Sequence, residues 1–307
     1  MAGIITNQTI IMLLLIFVGI FAYKSKIISK DGGKQLSAFV LEIVNPVIVI
    51  HAYMGVKYET HLVVNLLWTF ALAVITYIVS IVAVSILVRK KEGREYAIER
   101  FSAVYSNCGF MGIPLANALY GLEGVFYVTA YLTIFFIFAW THGIIQLTGE
   151  RDIKAVMKAL RSPTIVGVVV GLVLFFSRIS LPSILSETLG HIAALNTPLA
   201  MVASGVSVAQ VNFLNALKNK RVYIISAMKL LIVPLVSMAV LLCFPFVSDE
   251  VRMVVLVLIS APAAAMCTLQ CQSHGLNDIY ASQLFAMTTI FSIATMPLIV
   301  KIFSAFI

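Results

Sequence analysis

The chain has 307 residues, 61% of them hydrophobic and only 11% charged. A soluble domain carries roughly 25% charged residues, and a mean hydropathy of +1.04 excludes one here. The formal charge of +8 does not point to nucleic acid, because the basic residues sit in short loops between apolar runs.

Those runs are about 20 residues long, the length that crosses a hydrocarbon core of roughly 30 Å. They predict an all-α polytopic membrane protein with spans near 8–23, 36–54, 62–88, 101–120, 124–147, 163–177, 189–210, 222–244, 252–273 and 279–303. The start, MAGIITNQTI, lacks the basic n-region of a cleaved signal peptide, so the first run is read as a retained span. Basic residues cluster in alternate loops beginning at Lys24, Arg89, Arg151 and Lys218, against only Lys57, Arg178, Arg252 and Lys301 on the opposite side. By the positive-inside rule this predicts ten spans in an inner (plasma) membrane with both termini outside. Between the fifth and sixth spans, Ile153, Val156, Met157 and Leu160 share a face opposite Arg151, Lys154, Lys158 and Arg161. That spacing predicts a short amphipathic helix over 148–162 on the inner surface.

The two halves, 1–147 and 163–307, superpose at one constant offset: Gly19 on Gly171, Ile27 on Ile179, Pro46 on Pro198 and Arg100 on Arg252. Five spans per repeat is an odd number, so equivalent spans enter from opposite sides. This predicts two inverted five-helix repeats, the construction common to alternating-access carriers.

Span 4 contains Asn107, Gly109, Gly112 and Pro114, poor material for a helix interior. Its counterpart, span 9, contains Ser260 and Pro262 within a run of alanines, followed by Gln270. Freed backbone groups at membrane depth are tolerated only where protein or a wet cavity satisfies them. Helices 4 and 9 are therefore expected to be broken and to cross, their half-helix N-termini offering N–H groups to a carboxylate. Asn107 is the strongest candidate, since an amide can donate to that carboxylate. Asn45 and Asn196, beside Pro46 and Pro198, are expected to satisfy local backbone. Glu42 and Lys229 each follow a loop charge by two helical turns, about 12 Å into the membrane at 1.5 Å per residue. Lys229 is a candidate fixed charge for an anion or a stand-in for a bound cation, and Glu42 a proton carrier or the partner of Lys229. His51, His142 and His191 fall near span ends and are read as interfacial. Cys267 and Cys271 share a face, but no His or carboxylate joins them, so no metal or cofactor is expected.

Four stretches, NPVIVIHAY (45–53), SNCGFMGIPLANALYG (106–121), NTPLAMVASG (196–205) and APAAAMCTLQCQSHGLND (261–278), resemble the auxin efflux carrier family, which includes bacterial malonate and malate permeases. The resemblance implies a scaffold of spans 1, 2, 6 and 7 and a moving core of spans 3–5 and 8–10 with substrate at the crossover. It implies a homodimer formed through the scaffold. Sodium-coupled relatives hold their ion with acidic and amide groups around the second break; here that position reads Ser-Ala-Pro-Ala-Ala. The expected function is therefore a secondary transporter for a small dicarboxylate such as malate or malonate, as a uniporter or with H+. Auxin-like monocarboxylates, or a non-transporting sensor or channel on the same fold, are the alternatives. No G-x-x-x-x-G-K-[ST], G-x-S-x-G or H-E-x-x-H motif occurs, so neither ATP-driven pumping nor catalysis is expected.

Overall fold

The computed structural model describes residues 1–90, 95–149, 157, 161–179 and 181–307. Helix α1 is Ala2–Lys24, α2 is Lys30–Gly55, α3 is Thr60–Leu87, and a short α4 spans Tyr96–Val104. A long helical segment, α5, covers Cys108–Thr148. After α6 (Pro163–Ser177) and α7 (Ser183–Ala209) come α8 (Phe213–Lys218), α9 (Lys220–Leu242), α10 (Asp249–Ser260), α11 (Met266–Ser273) and α12 (Asp278–Phe303). Among the described residues no strand occurs, and seven helices are long and apolar enough to cross a membrane. Of the predicted surface helix over 148–162, only residues 148, 149, 157, 161 and 162 lie among the described residues.

Prolines shape three of the long segments in the same way. Pro46, Pro114 and Pro234 each lie two residues beyond a π turn, at Val40–Val44, Cys108–Gly112 and Met228–Ile232. A proline ring clashes with the carbonyl one turn back and offers it no N–H; widening the preceding turn relieves both problems without ending the helix. Glu42 and Lys229 both sit in such turns.

Straight, the residues of α5 would run about 60 Å, twice the thickness of a hydrocarbon core. They do not run straight. Gly121 takes φ 58° and ψ −144°, a conformation that side-chain-bearing residues rarely adopt. A Cβ placed on Gly124 would lie 2.3 Å from the Ala116 carbonyl oxygen. Residues eight apart meet only if the chain doubles back, so Gly121 is a hairpin.

Helix α1 packs along α7, and α2 along α6. The first contact is backbone to backbone: a Cβ on Gly19 would fall 2.2 Å from the Val202 carbonyl oxygen, and one on Gly205 2.1 Å from that of Ile16. In the second, Gly171 sits against the ring of Tyr53 and Gly167 against Pro46. Helices α3, α5, α9, α10 and α12 form the other packed group, with α4 and α11 inserted among them. A bidentate ion pair joins its parts, Arg221 on α9 donating to both Glu99 oxygens (2.8 and 2.5 Å), while the Tyr280 hydroxyl on α12 adds a bond of 3.1 Å.

Candidate functional site at the crossed helix breaks

The first break lies at Tyr105–Asn107, at the front edge of the stretch Asn107–Pro114 that the sequence suggested. Tyr105 is extended, and helix resumes at Cys108. Gly109 and Gly112 are therefore inside the second half-helix and serve close approach. Gly112 packs against Leu258 of α10, Gly109 faces the Asn45 amide, and Pro114 begins the regular α turns. The second break runs from Ala261 to Ala265, with Pro262 in its extended part.

The two breaks cross and pair. Asn107 N donates to the Pro262 carbonyl (2.7 Å), Ala264 N donates to the Tyr105 carbonyl (2.9 Å), and Ser106 bridges Ala263 in antiparallel sense. Side chains absorb other freed groups. The Ser106 hydroxyl donates to the Ile259 carbonyl (3.0 Å), and the Thr288 hydroxyl accepts from Ala263 N (3.1 Å). Four half-helix ends thus meet in one buried place. The C-termini of α4 and α10 bring partial negative charge, and the N-termini of α5 and α11 partial positive charge.

Asn107 caps the α5 end with its backbone, not its side chain. The side chain is only 7% exposed, and its amide nitrogen has no hydrogen-bond partner. A buried donor left unpaired costs about 1–3 kcal/mol, so the Asn107 amide is poised to donate to an acceptor. Ser260 Oγ is likewise buried without a partner, and Gln270 is buried on α11. Across from the α5 end, Asn196 Nδ2 donates to Asn45 Oδ1 (2.8 Å), which corrects the expectation that each amide satisfies its own backbone. The Asn196 side-chain oxygen, Oδ1, remains unpartnered. Pro46 is held against Gly167, whereas Pro198 is exposed.

Glu42 and Lys229 do not belong together. Glu42 is exposed on α2, while Lys229 is 0% exposed and directs its ammonium to Val104, Ser106 and Ile259. It does not snorkel to the interface; its closest partner is Ser106, one residue before the N-cap of α5. His191 is exposed. His51 is half-buried with its Nδ1 unpartnered. His142 Nδ1 lies 2.9 Å from the Tyr105 hydroxyl, which donates to the Phe138 carbonyl. His142 also lines a cavity of about 380 Å³ with Lys90, Tyr96, Arg100 and Gln146. Cys267 and Cys271 are buried free thiols, Cys267 accepting from the Ser102 hydroxyl (3.5 Å). Among the described residues no cluster of His, Cys, Asp and Glu could hold a metal.

Sequence reading missed Ser106, Glu99, Arg221 and Tyr280. Ser106 was within sight as the neighbour of Asn107. Glu99 is a carboxylate placed just before a broken span, and its burial at 2% depends on a partner far along the chain.

A multi-helix membrane protein with two broken segments paired at its centre has the build of a solute transporter. The family model described as "Membrane transport protein" matches residues 4–152 and 150–300, so the chain belongs to that family, the one the auxin efflux carrier resemblance pointed to. An uncharacterized transporter of Methanothermobacter thermautotrophicus is 23% identical over 200 residues, 64% of this chain and 65% of that relative. The chain thus covers less than two thirds of that relative's length.

Proposed function

We propose that the chain is a secondary carrier that moves a small organic anion by alternating access at the crossed breaks. The single observation that carries this is the buried, unpartnered Asn107 amide at the N-terminal end of α5. An N-terminus with free N–H groups and a side-chain donor is an anion site, and a carboxylate oxygen fits both. Dicarboxylates such as malate or malonate are the first substrates to test. Transport runs as uniport or with protons, and in an inner membrane.

The ten-span reading counts α5 as two spans separated at Gly121, and counts α4 with the first part of α5, and α10 with α11, as one broken span each. Inverted repeats are supported by a pair of contacts at the sequence offset of the halves: Gly19 with Gly205, and Gly171 with Tyr53. In this reading α1, α2, α6 and α7 form the scaffold, also the face for a homodimer, and the remaining helices form the moving core. Both termini lie outside.

Counterflow tests it. Proteoliposomes loaded with unlabelled malate should accumulate labelled malate, competitors should rank other carboxylates, and Asn107→Ala should abolish uptake. Absence of counterflow with every mono- and dicarboxylate tried, together with no thermal stabilisation by any of them, would overturn the proposal.

A further inference from the structure

The crossover also gathers the C-terminal ends of two half-helices, which the proposed anion site does not use. There α4 ends at Val104 and α10 at Ser260, so the unpaired carbonyls of two helix C-termini converge. Lys229 meets them. Its Nζ donates to Ser106 Oγ at 2.6 Å and to the Val104 and Ile259 carbonyls at 3.3 Å each. Ser106 is held as an acceptor because its own proton goes to the Ile259 carbonyl. Three donors thus meet three oxygens, and no carboxylate joins them.

The ammonium is countered by dipoles alone, in a place with no exposed surface. Hydroxyl and carbonyl oxygens are hard donors, the set that replaces the hydration shell of small cations. One positive charge suits the cage, since a divalent ion would bring charge that nothing nearby offsets. The π turn Met228–Ile232 presents the side chain, and Pro234 enforces that turn.

We infer that this cage is a monovalent-cation site whose cation the chain supplies itself, as Lys229. With the lysine in place the two broken helices are locked at their C-terminal ends without any ion from solution. Truncating the side chain opens the cage to Na+ or to a small alkylammonium ion. The consequence for coupling, that the native carrier needs no sodium, rests on the proposed carrier function. The site itself rests on geometry.

The test therefore reads binding and not transport. Native protein, Lys229→Ala and Lys229→Met are purified in detergent and melted at one ionic strength in sodium, methylammonium or choline chloride. Native protein should melt at one temperature in all three salts. Lys229→Ala should melt lower in choline and regain at least half of the loss in sodium or methylammonium. Lys229→Met, whose side chain fills the channel left by the lysine stem, should melt low in every salt. Equal melting of Lys229→Ala in the three salts, its failure to fold in any of them, equal rescue of Lys229→Met, or a sodium response of native protein would each overturn the inference. None of these outcomes depends on malate being the substrate, so failure of counterflow leaves the result readable.

Discussion

Two of the places where this protein brings backbone within contact distance of backbone are built differently. Where α1 crosses α7, Gly19 and Gly205 remove side chains, so that each helix meets the other's carbonyls with its own hydrogen bonds intact. Where the two breaks cross, the helices are opened and their freed groups are shared between chain segments, with Ser106, Thr288 and Lys229 filling in. The first crossing keeps its backbone hydrogen bonds within each helix and leaves one buried hydroxyl beside Gly205, Ser204 Oγ, without a partner. The second leaves a surplus at Asn107, Ser260 and Asn196. A glycine crossing is a device for holding; a crossing with unpaired donors is a device for binding.

Substitutions at the two crossings should separate these roles, beginning with the largest effect on stability. Gly205→Val puts a Cβ 2.1 Å from the Ile16 carbonyl oxygen, an atom that cannot move without its helix. It should cost about 3 kcal/mol or more, seen as loss of monodisperse protein on gel filtration. If it is tolerated, the α1–α7 contact is looser than drawn.

Arg221→Ala should come next. It leaves the Glu99 carboxylate, 2% exposed, with the Tyr280 hydroxyl as a remaining donor. Removing one partner of a buried pair costs about 3–5 kcal/mol. The low end is expected here, because Arg221 itself keeps about a third of its side chain exposed. Thermal melting measures it, and Arg221→Lys should recover only part of the loss because it cannot bind both oxygens.

Smaller again is the bond between Asn45 and Asn196. A double-mutant cycle with alanine at each should show a coupling of about 1 kcal/mol in thermal stability. Additive effects would mean that the two amides do not act as a pair.

Asn107→Ala should have the smallest effect on folding and the largest on turnover. Its unpartnered amide contributes no side-chain hydrogen bond that substitution could break, and losing a buried unpaired donor offsets the lost packing, so the melting temperature should not fall, while counterflow falls below detection. A strong loss of stability would instead make Asn107 part of the helix break and remove it from the binding site.

Much of the architecture was legible before any coordinates. Apolar run length announced the helices, and the density of Gly, Pro and Asn the two broken segments. The errors follow from what a linear pattern carries. The first break was read onto Asn107–Pro114, and it falls at the front edge of that stretch, Tyr105–Asn107. The proline of that stretch is absorbed by a π turn, and its glycines are needed for their lack of a Cβ beside Leu258 and Asn45. Burial of Lys229 followed from its depth, but its partners did not. Both Glu42 and Lys229 follow a loop charge by the same number of residues, and only the packing of α9 against the two breaks decided that one is enclosed and the other exposed.

By itself, then, the sequence determined that this chain spans a membrane, where its helices weaken, and to which family it is similar, because hydrophobic length and backbone permissiveness are local properties of residues. The tertiary structure decided which weak points meet. It set Asn107 N on the Pro262 carbonyl, Arg221 on Glu99 and the Lys229 ammonium on three oxygens. All but one of these pairings, Lys229 with Ile259, join residues more than a hundred positions apart, and what selects among them is the requirement that every polar group taken out of water find a partner or bind one.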